Sequence, residues 1–196
     1  MATTAEALRT DTRVRLMDAA FRAVATFGLS RFTMEDVARE AGLSRQSVYR
    51  YFDSKDALVT ELVFREEEAF LAGARAAYEH HDDLESAIED SVLFCLQLAR
   101  RHPLLDRLLA SEPEILLPYL TTRGGGVLQN ARVVMEELAS KWPGVEASLV
   151  HRAADLAARA ILSYALTPPD DPPETVAREI ARILSKALQE TKEARR

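Results

Sequence analysis

The chain has 196 residues, 47% of them hydrophobic, a net charge of −6 and a single cysteine, Cys95. That length can bury a core without covalent staples, and one thiol excludes an intramolecular disulfide and agrees with a reducing cytoplasm. Seven glycines and eight prolines leave few breaks, so long helices are expected, and no run of about 18 apolar residues is present to span a membrane.

The first fifteen residues carry Glu6, Arg9, Asp11, Arg13 and Arg15 and no apolar h-region, so no secretory signal is expected. From 13 to 27, Leu16, Ala20, Val24 and Phe27 repeat at helical spacing, with Met17 and Phe21 widening the stripe. Gly28 reads as the C-terminal stop. Thr33 then caps a short second helix, with Asp36 three residues on and Val37, Ala38 and Ala41 as its buried face. Gly42 stops it. Ser44 caps a third helix, Arg45 to Phe52, in which Val48 and Phe52 point inward. Ser54 caps a fourth through Leu58, Leu62 and Phe70 to about Tyr78.

Asp82 to Arg101 continues in helical register with Ile88, Val92, Cys95, Leu96 and Ala99. Pro103 can open a short helix, and Ser111-Glu112-Pro113-Glu114 reads as a capping box for the next. Thr121 to Gly126 is a bend or a loop. Helix resumes from Gln129 to Trp142 and stops at Pro143-Gly144. Glu146 to Leu166 and Glu174 to Gln189 are the last two helices, divided by the proline-rich loop Thr167 to Pro173. No alternation of useful length suggests a strand. The expected fold is all-α with about nine helices: a three-helix helix-turn-helix domain over 1–56, then a larger helical domain over 57–196.

Residues 33–52 carry the chemistry. Two capped helices joined through Gly42 and Leu43 form a helix-turn-helix, in which glycine permits the positive φ of the tight turn. The second helix can then present its N-terminal residues to base edges in a major groove. The arginine fork of Arg45 matches guanine O6 and N7, and Gln46 can match adenine N6 and N7, each discriminating by about 1–3 kcal/mol. Charge permits this: residues 1–56 hold nine basic and eight acidic side chains, so the negative excess lies in the remainder.

Phe27-Gly28, Thr33 to Ala38, Ala41-Gly42-Leu43-Ser44 and Val48 to Lys55 together resemble the TetR family of bacterial regulators over roughly residues 10–60. The resemblance implies that Thr33 contacts a phosphate at the start of the second helix. It implies that Arg45 and Gln46 face bases, that Ser44, Ser47, Tyr49 and Tyr51 stand in the DNA interface with the last three holding phosphate and sugar, and that Lys55 clamps another phosphate. Arg50 stands where the family often has histidine or an aromatic residue, and is a secondary candidate.

One helix-turn-helix reads half an operator, so a homodimer on a palindromic duplex is expected, its half-sites about 34–36 Å apart. Two apolar stripes run along 146–166, one through Leu149, Ala153, Leu156 and Ala160, the other through Val150, Ala154, Ala157, Ile161 and Tyr164. A surface helix needs one, so the second is either subunit interface or further core. With Ile180 and Leu184 of the last helix, the first stripe is the expected dimer surface, an arrangement the resemblance also implies. Phe94, Leu98, Tyr119, Met135 and Leu138 are candidates for the small-molecule effector pocket that the resemblance places among the middle helices. Each is equally compatible with plain core.

No cofactor or metal is expected. His80-His81-Asp82-Asp83 reads as a solvated turn, His102 and His151 lack ligand spacing, and Cys95 sits at core spacing. No phosphate loop, nucleophile elbow or zinc motif suggests an enzyme; Gly124-Gly125-Gly126 lacks the lysine of a phosphate loop. The reading is an operator-specific regulator, a repressor released by a small hydrophobic ligand. The alternative is a helical protein-interaction module that does not bind an operator.

Overall fold

The structure is a computed structural model that describes residues 4–122, 125–142 and 146–193, with side chains over 10–122, 127–142 and 146–189. The described residues form ten helices and no strand. In chain order they are α1 (Thr4–Arg31), α2 (Met34–Ala41), α3 (Arg45–Tyr49), α4 (Lys55–Glu79) and α5 (Leu84–Arg101). Then follow α6 (Leu105–Ser111), α7 (Pro113–Leu120), α8 (Gly125–Ala139), α9 (Ala147–Leu166) and α10 (Pro173–Glu193). The expected stop at Pro143-Gly144 lies outside the described residues.

Packing divides the chain elsewhere than at residue 56. One unit joins Met1–Glu66 to Pro103–Arg123; the other joins Glu67–His102 to Gly124–Arg196. The first unit therefore takes in α6 and α7, which the sequence reading places within the domain over 57–196.

In the first unit Leu16, Ala20 and Val24 are buried as the helical spacing requires, against Phe32, Val37, Val48 and Leu58. Leu104, Leu108, Leu116 and Tyr119 complete the same core. Phe27, expected in the α1 stripe, is instead among the exposed apolar side chains. The helix breaks one residue later, at Gly28 with φ 81° and ψ 168°, and Leu29 and Phe32 beyond the break are the side chains buried in the core.

In the second unit α5 packs along α10 and α9 along α8. Small residues allow the close approaches: Ala87, Ala154, Ala177 and Ala181 are buried, and Phe94 of α5 lies over Gly73 of α4. Cys95 is buried, and desolvation pushes its thiol up to about 12, which leaves it an inert core side chain.

Two local expectations change. Helix α8 begins at Gly125, inside the glycine cluster, not at Gln129. The capping box at Ser111 is not formed. Ser111 closes α6 with its hydroxyl donating to the Arg107 carbonyl, and Glu112 stands at the α7 N-cap without capping it.

Candidate DNA-binding interface and apolar cavity

The helix-turn-helix is assembled by caps. Thr33 accepts a hydrogen bond from the Asp36 amide at 3.2 Å, and Asp36 accepts in return from the Thr33 amide at 2.9 Å and hydroxyl at 2.7 Å. That reciprocal box satisfies two donors at the start of α2. The Thr33 hydroxyl, foremost, and Arg39 hold the Asp36 carboxyl below its ordinary range against the opposing effect of burial. At the other end Gly42 adopts φ 66°, ψ 35°, so that its amide reaches the Arg39 carbonyl and the Leu43 amide reaches that of Ala38. Arg15 of α1 donates to the Ala41 carbonyl at 2.9 Å, tying the turn to the first helix.

Ser44 caps α3 by accepting from the Ser47 amide at 3.1 Å, and the two hydroxyls lie 2.9 Å apart. Val48 is buried and anchors this helix from beneath. Arg45, Gln46 and Tyr49 remain exposed on the outer side. The Arg45 guanidinium lies over the Tyr49 ring, 5.4 Å from its centroid.

The eight expected DNA contacts thus divide. Thr33, Ser44, Arg45, Gln46 and Tyr49 are exposed; Ser47 and Tyr51 are half-buried, and Tyr51 also packs on the core. Lys55, half-buried, donates to the Ser30 carbonyl at 3.0 Å, with its ammonium 4.3 Å from the centroid of Phe32. Burial lowers its pKa, and the negative charge of Glu112 opposes that. Arg50 lies against Tyr51, 5.5 Å from the ring centroid.

The second unit holds a half-open apolar cavity of about 60 Å³ between α4, α5, α8, α9 and α10. Met135 and Leu138, expected there, line it. Phe94, Leu98 and Tyr119 do not: Phe94 rests on Gly73, and Tyr119 belongs to the first unit, where its hydroxyl donates to Asp56. Lining residues that the sequence reading missed include Tyr78, Leu84, Ile88, Val92 and Leu188. Their helical spacing is the spacing of any core, so no sequence signal separates them. Among the described residues, the polar side-chain groups that line it are the hydroxyls of Tyr78 and Ser91. Trp142 Nε1 donates to the Tyr78 oxygen at 2.6 Å, and Ser91 donates to the Ala74 carbonyl at 3.1 Å.

Of the expected dimer residues, Ala153 and Leu184 line this cavity, and Leu149 and Ile180 pack on core side chains of their own unit. Leu156 is 57% exposed and Ala160 half-buried on α9; Ile183 on α10 is 59% exposed. Position along the helix alone could not separate the two faces. The rings of His80 and His81 bond to different partners, the Ala76 carbonyl and Asp90. No described helix is long and apolar enough to cross a membrane.

The model for bacterial regulatory proteins of the tetR family matches residues 16–62, and that for the tetracycline repressor C-terminal domain matches 83–186. The chain is 28% identical over 188 residues to the HTH-type transcriptional regulator AlkX of Mycobacterium tuberculosis, covering 92% of this chain and 87% of that one. The crystal structure of the TetR family repressor AlkX from a Dietzia strain, implicated in biodegradation of n-alkanes, superposes with a TM-score of 0.75 at 30% identity, covering 90% of this chain and 97% of that one. A match to the nucleoid occlusion factor SlmA of Haemophilus influenzae is 32% identical over 82 residues, 42% of this chain, and spans only 38% of that protein's length.

Proposed function

The chain belongs to the TetR family of bacterial transcriptional regulators, with its DNA-binding helix-turn-helix, and we propose that it is a dimeric repressor released from a palindromic operator by an uncharged aliphatic ligand. One observation carries the DNA-reading half. The first turn of α3 presents Arg45 and Gln46 to solvent on a helix held from below by Val48 and capped by Ser44. A fork and an amide so placed match the acceptor and donor pattern of a major groove. Thr33, Ser44, Ser47, Tyr49, Tyr51 and Lys55 are assigned to the surrounding interface, where phosphate contacts fix register without reading sequence.

The ligand class follows from the cavity. Among the described residues no charged side chain lines it; the Ser91 hydroxyl is engaged by the Ala74 carbonyl, and the Tyr78 oxygen, which accepts from Trp142, keeps a neutral O–H. A carboxylate or phosphate buried there would lose its hydration without gaining a counter-charge. A neutral hydrocarbon chain meets no such cost, and the n-alkane context of the Dietzia relative agrees with it. Ligand shifts the equilibrium only if it prefers one conformation, so the empty and filled cavity must belong to states of different operator affinity.

For the dimer, Leu156 and Ala160 on α9 with Ile183 on α10 are the assigned contact surface. Two helices from each subunit would bury those side chains in a four-helix seam. Sedimentation showing a monomer at working concentration removes this part of the proposal.

The function is tested by selecting operators from a random duplex library at near-physiological salt. A palindrome with half-sites about one turn apart, about 34–36 Å, is the expected product. Titrating the bound complex with an alkane, the matching alcohol and the matching fatty acid then tests the ligand class. Release by the neutral compounds and not by the anion is expected; release by the anion alone overturns it.

A further inference from the structure

Glu112 stands between α6 and α7, yet its carboxylate serves neither helix. One oxygen accepts from the Leu29 amide at 2.5 Å and the Ser30 amide at 3.3 Å; the other accepts from the Ser30 hydroxyl. The residue is only 9% exposed. Burial pushes its pKa up, but the Ser30 hydroxyl and the two amides outweigh that and hold it below its ordinary value. Gly28 makes the approach possible, because a Cβ there would lie 2.6 Å from the Glu112 oxygen.

The Ser30 carbonyl held by this arrangement is the acceptor for Lys55. On the other flank of Lys55, the Tyr119 hydroxyl donates to the carboxylate of Asp56. Both ties come from Pro103–Arg123, the segment that packing assigns to the DNA-reading unit. Apolar contacts would join helices without the desolvation that a buried carboxylate entails. What hydrogen bonds add is direction: they fix the turn from Gly28 towards Thr33 and the start of α4.

We propose that Glu112 and Tyr119 are positioning residues for operator binding, which set the place of Lys55 and of the turn leading to Thr33. Pro103–Arg123 is then the part of the DNA reader through which operator affinity is tuned. This rests on the operator-binding reading above.

The test measures affinity of the full chain for its selected operator across a salt series. It uses wild type, Glu112→Gln, Tyr119→Phe, Lys55→Ala and each of the first two combined with Lys55→Ala, with thermal melts to establish folding. Glu112→Gln and Tyr119→Phe should each weaken binding by about three- to tenfold and make the salt slope shallower by about one. Lys55→Ala should then add little in either background, because the lysine is already misplaced. Amide exchange at Leu29 and Ser30 should accelerate in Glu112→Gln. Additive losses with an unchanged salt slope mean that Glu112 and Tyr119 only stabilise the fold, and overturn the proposal. Faster exchange with unchanged affinity overturns it as well, while leaving operator binding intact. Tyr119→Phe keeps the ring in the core and carries the test alone if Glu112→Gln does not fold. A wild-type chain that selects no operator removes the operator reading and this proposal with it.

Discussion

Arg45 and Tyr49 sit one helical turn apart on the exposed side of α3, with the guanidinium 5.4 Å from the ring centroid and one of its nitrogens 3.5 Å from the hydroxyl. The pair restricts a long side chain before any DNA arrives, which lowers the entropy lost when the fork engages a base. Arg45→Ala should weaken operator binding by about 1–3 kcal/mol and relax preference at one base pair. Because the side chain is exposed, the melting temperature should not move. Arg45→Lys should restore little, since a point charge cannot form the bidentate contact. Affinity and selected sequence, measured for both variants, check this. Unchanged preference in Arg45→Ala would remove α3 from the role of reader.

Gly28 and Gly42 both hold positive φ, for different reasons. Gly42 has open space around a notional Cβ, so Gly42→Ala carries only the left-handed backbone cost, about 1–2 kcal/mol. Gly28 combines a φ/ψ region that side chains avoid with the nearby Glu112 carboxylate. Gly28→Ala should therefore cost more, about 2–4 kcal/mol. Urea unfolding of the two variants gives the ranking, and the reverse order would contradict the packing of Glu112.

Gly73 passes beneath Phe94 so closely that a Cβ would lie 1.9 Å from the ring's Cζ. Gly73→Ala should destabilise the second unit by about 1–3 kcal/mol through overpacking. Adding Phe94→Leu should recover much of the loss, because the contact is to the far end of a side chain. Thermal melts of the single and double variants read this directly. Equal melts for wild type and Gly73→Ala would mean that the ring moves aside freely.

Glu67 in α4 accepts from Asn130 at 3.1 Å through one oxygen, while its other is buried with no hydrogen-bond partner among the described residues. Burial, with Glu68 beside it, pushes the carboxyl up to about 7 from 4.5. Below about pH 4.5 the group is neutral in both folded and unfolded chains, and its relative contribution to stability is fully present. As pH rises through about 7 the unfolded chain has already released its proton, so stability falls. Glu67→Gln should remove that fall and leave the protein about 1 kcal/mol more stable than wild type at pH 8, a figure discounted for partial exposure. Parallel pH–stability curves for the two proteins would contradict it.

Much of this molecule was legible in its sequence, and the legible parts are local. Thr33 with Asp36, Ser44 with Ser47, and Gly42 after Ala41 specify their geometry within three or four residues. A reader of the chain needs no other segment to place the helix-turn-helix, since each cap supplies an oxygen that a nearby orphan amide requires. Helix existence followed from periodicity in the same way, and boundaries moved by a few residues, as at the start of α8.

What lay across the fold was not legible. Ser111-Glu112-Pro113-Glu114 has the local pattern of a capping box, but the Glu112 carboxylate bonds to amides 82 and 83 residues away. On α9, Ala153 and Leu156 are both apolar and three residues apart; one lines the cavity and the other is exposed. On α10 the neighbours Leu184 and Ile183 likewise divide, the first lining the cavity and the second exposed. Sequence by itself determined an all-helical chain with a helix-turn-helix, because caps, glycine turns and helical period act over one turn of chain; its DNA-binding role came from the resemblance to the TetR family. Only the tertiary structure decided which apolar side chains are core, cavity or open surface, and where a lone carboxylate finds its donors. Removing an apolar side chain from water is favourable against any partner, so its placement depends on which helix lies opposite.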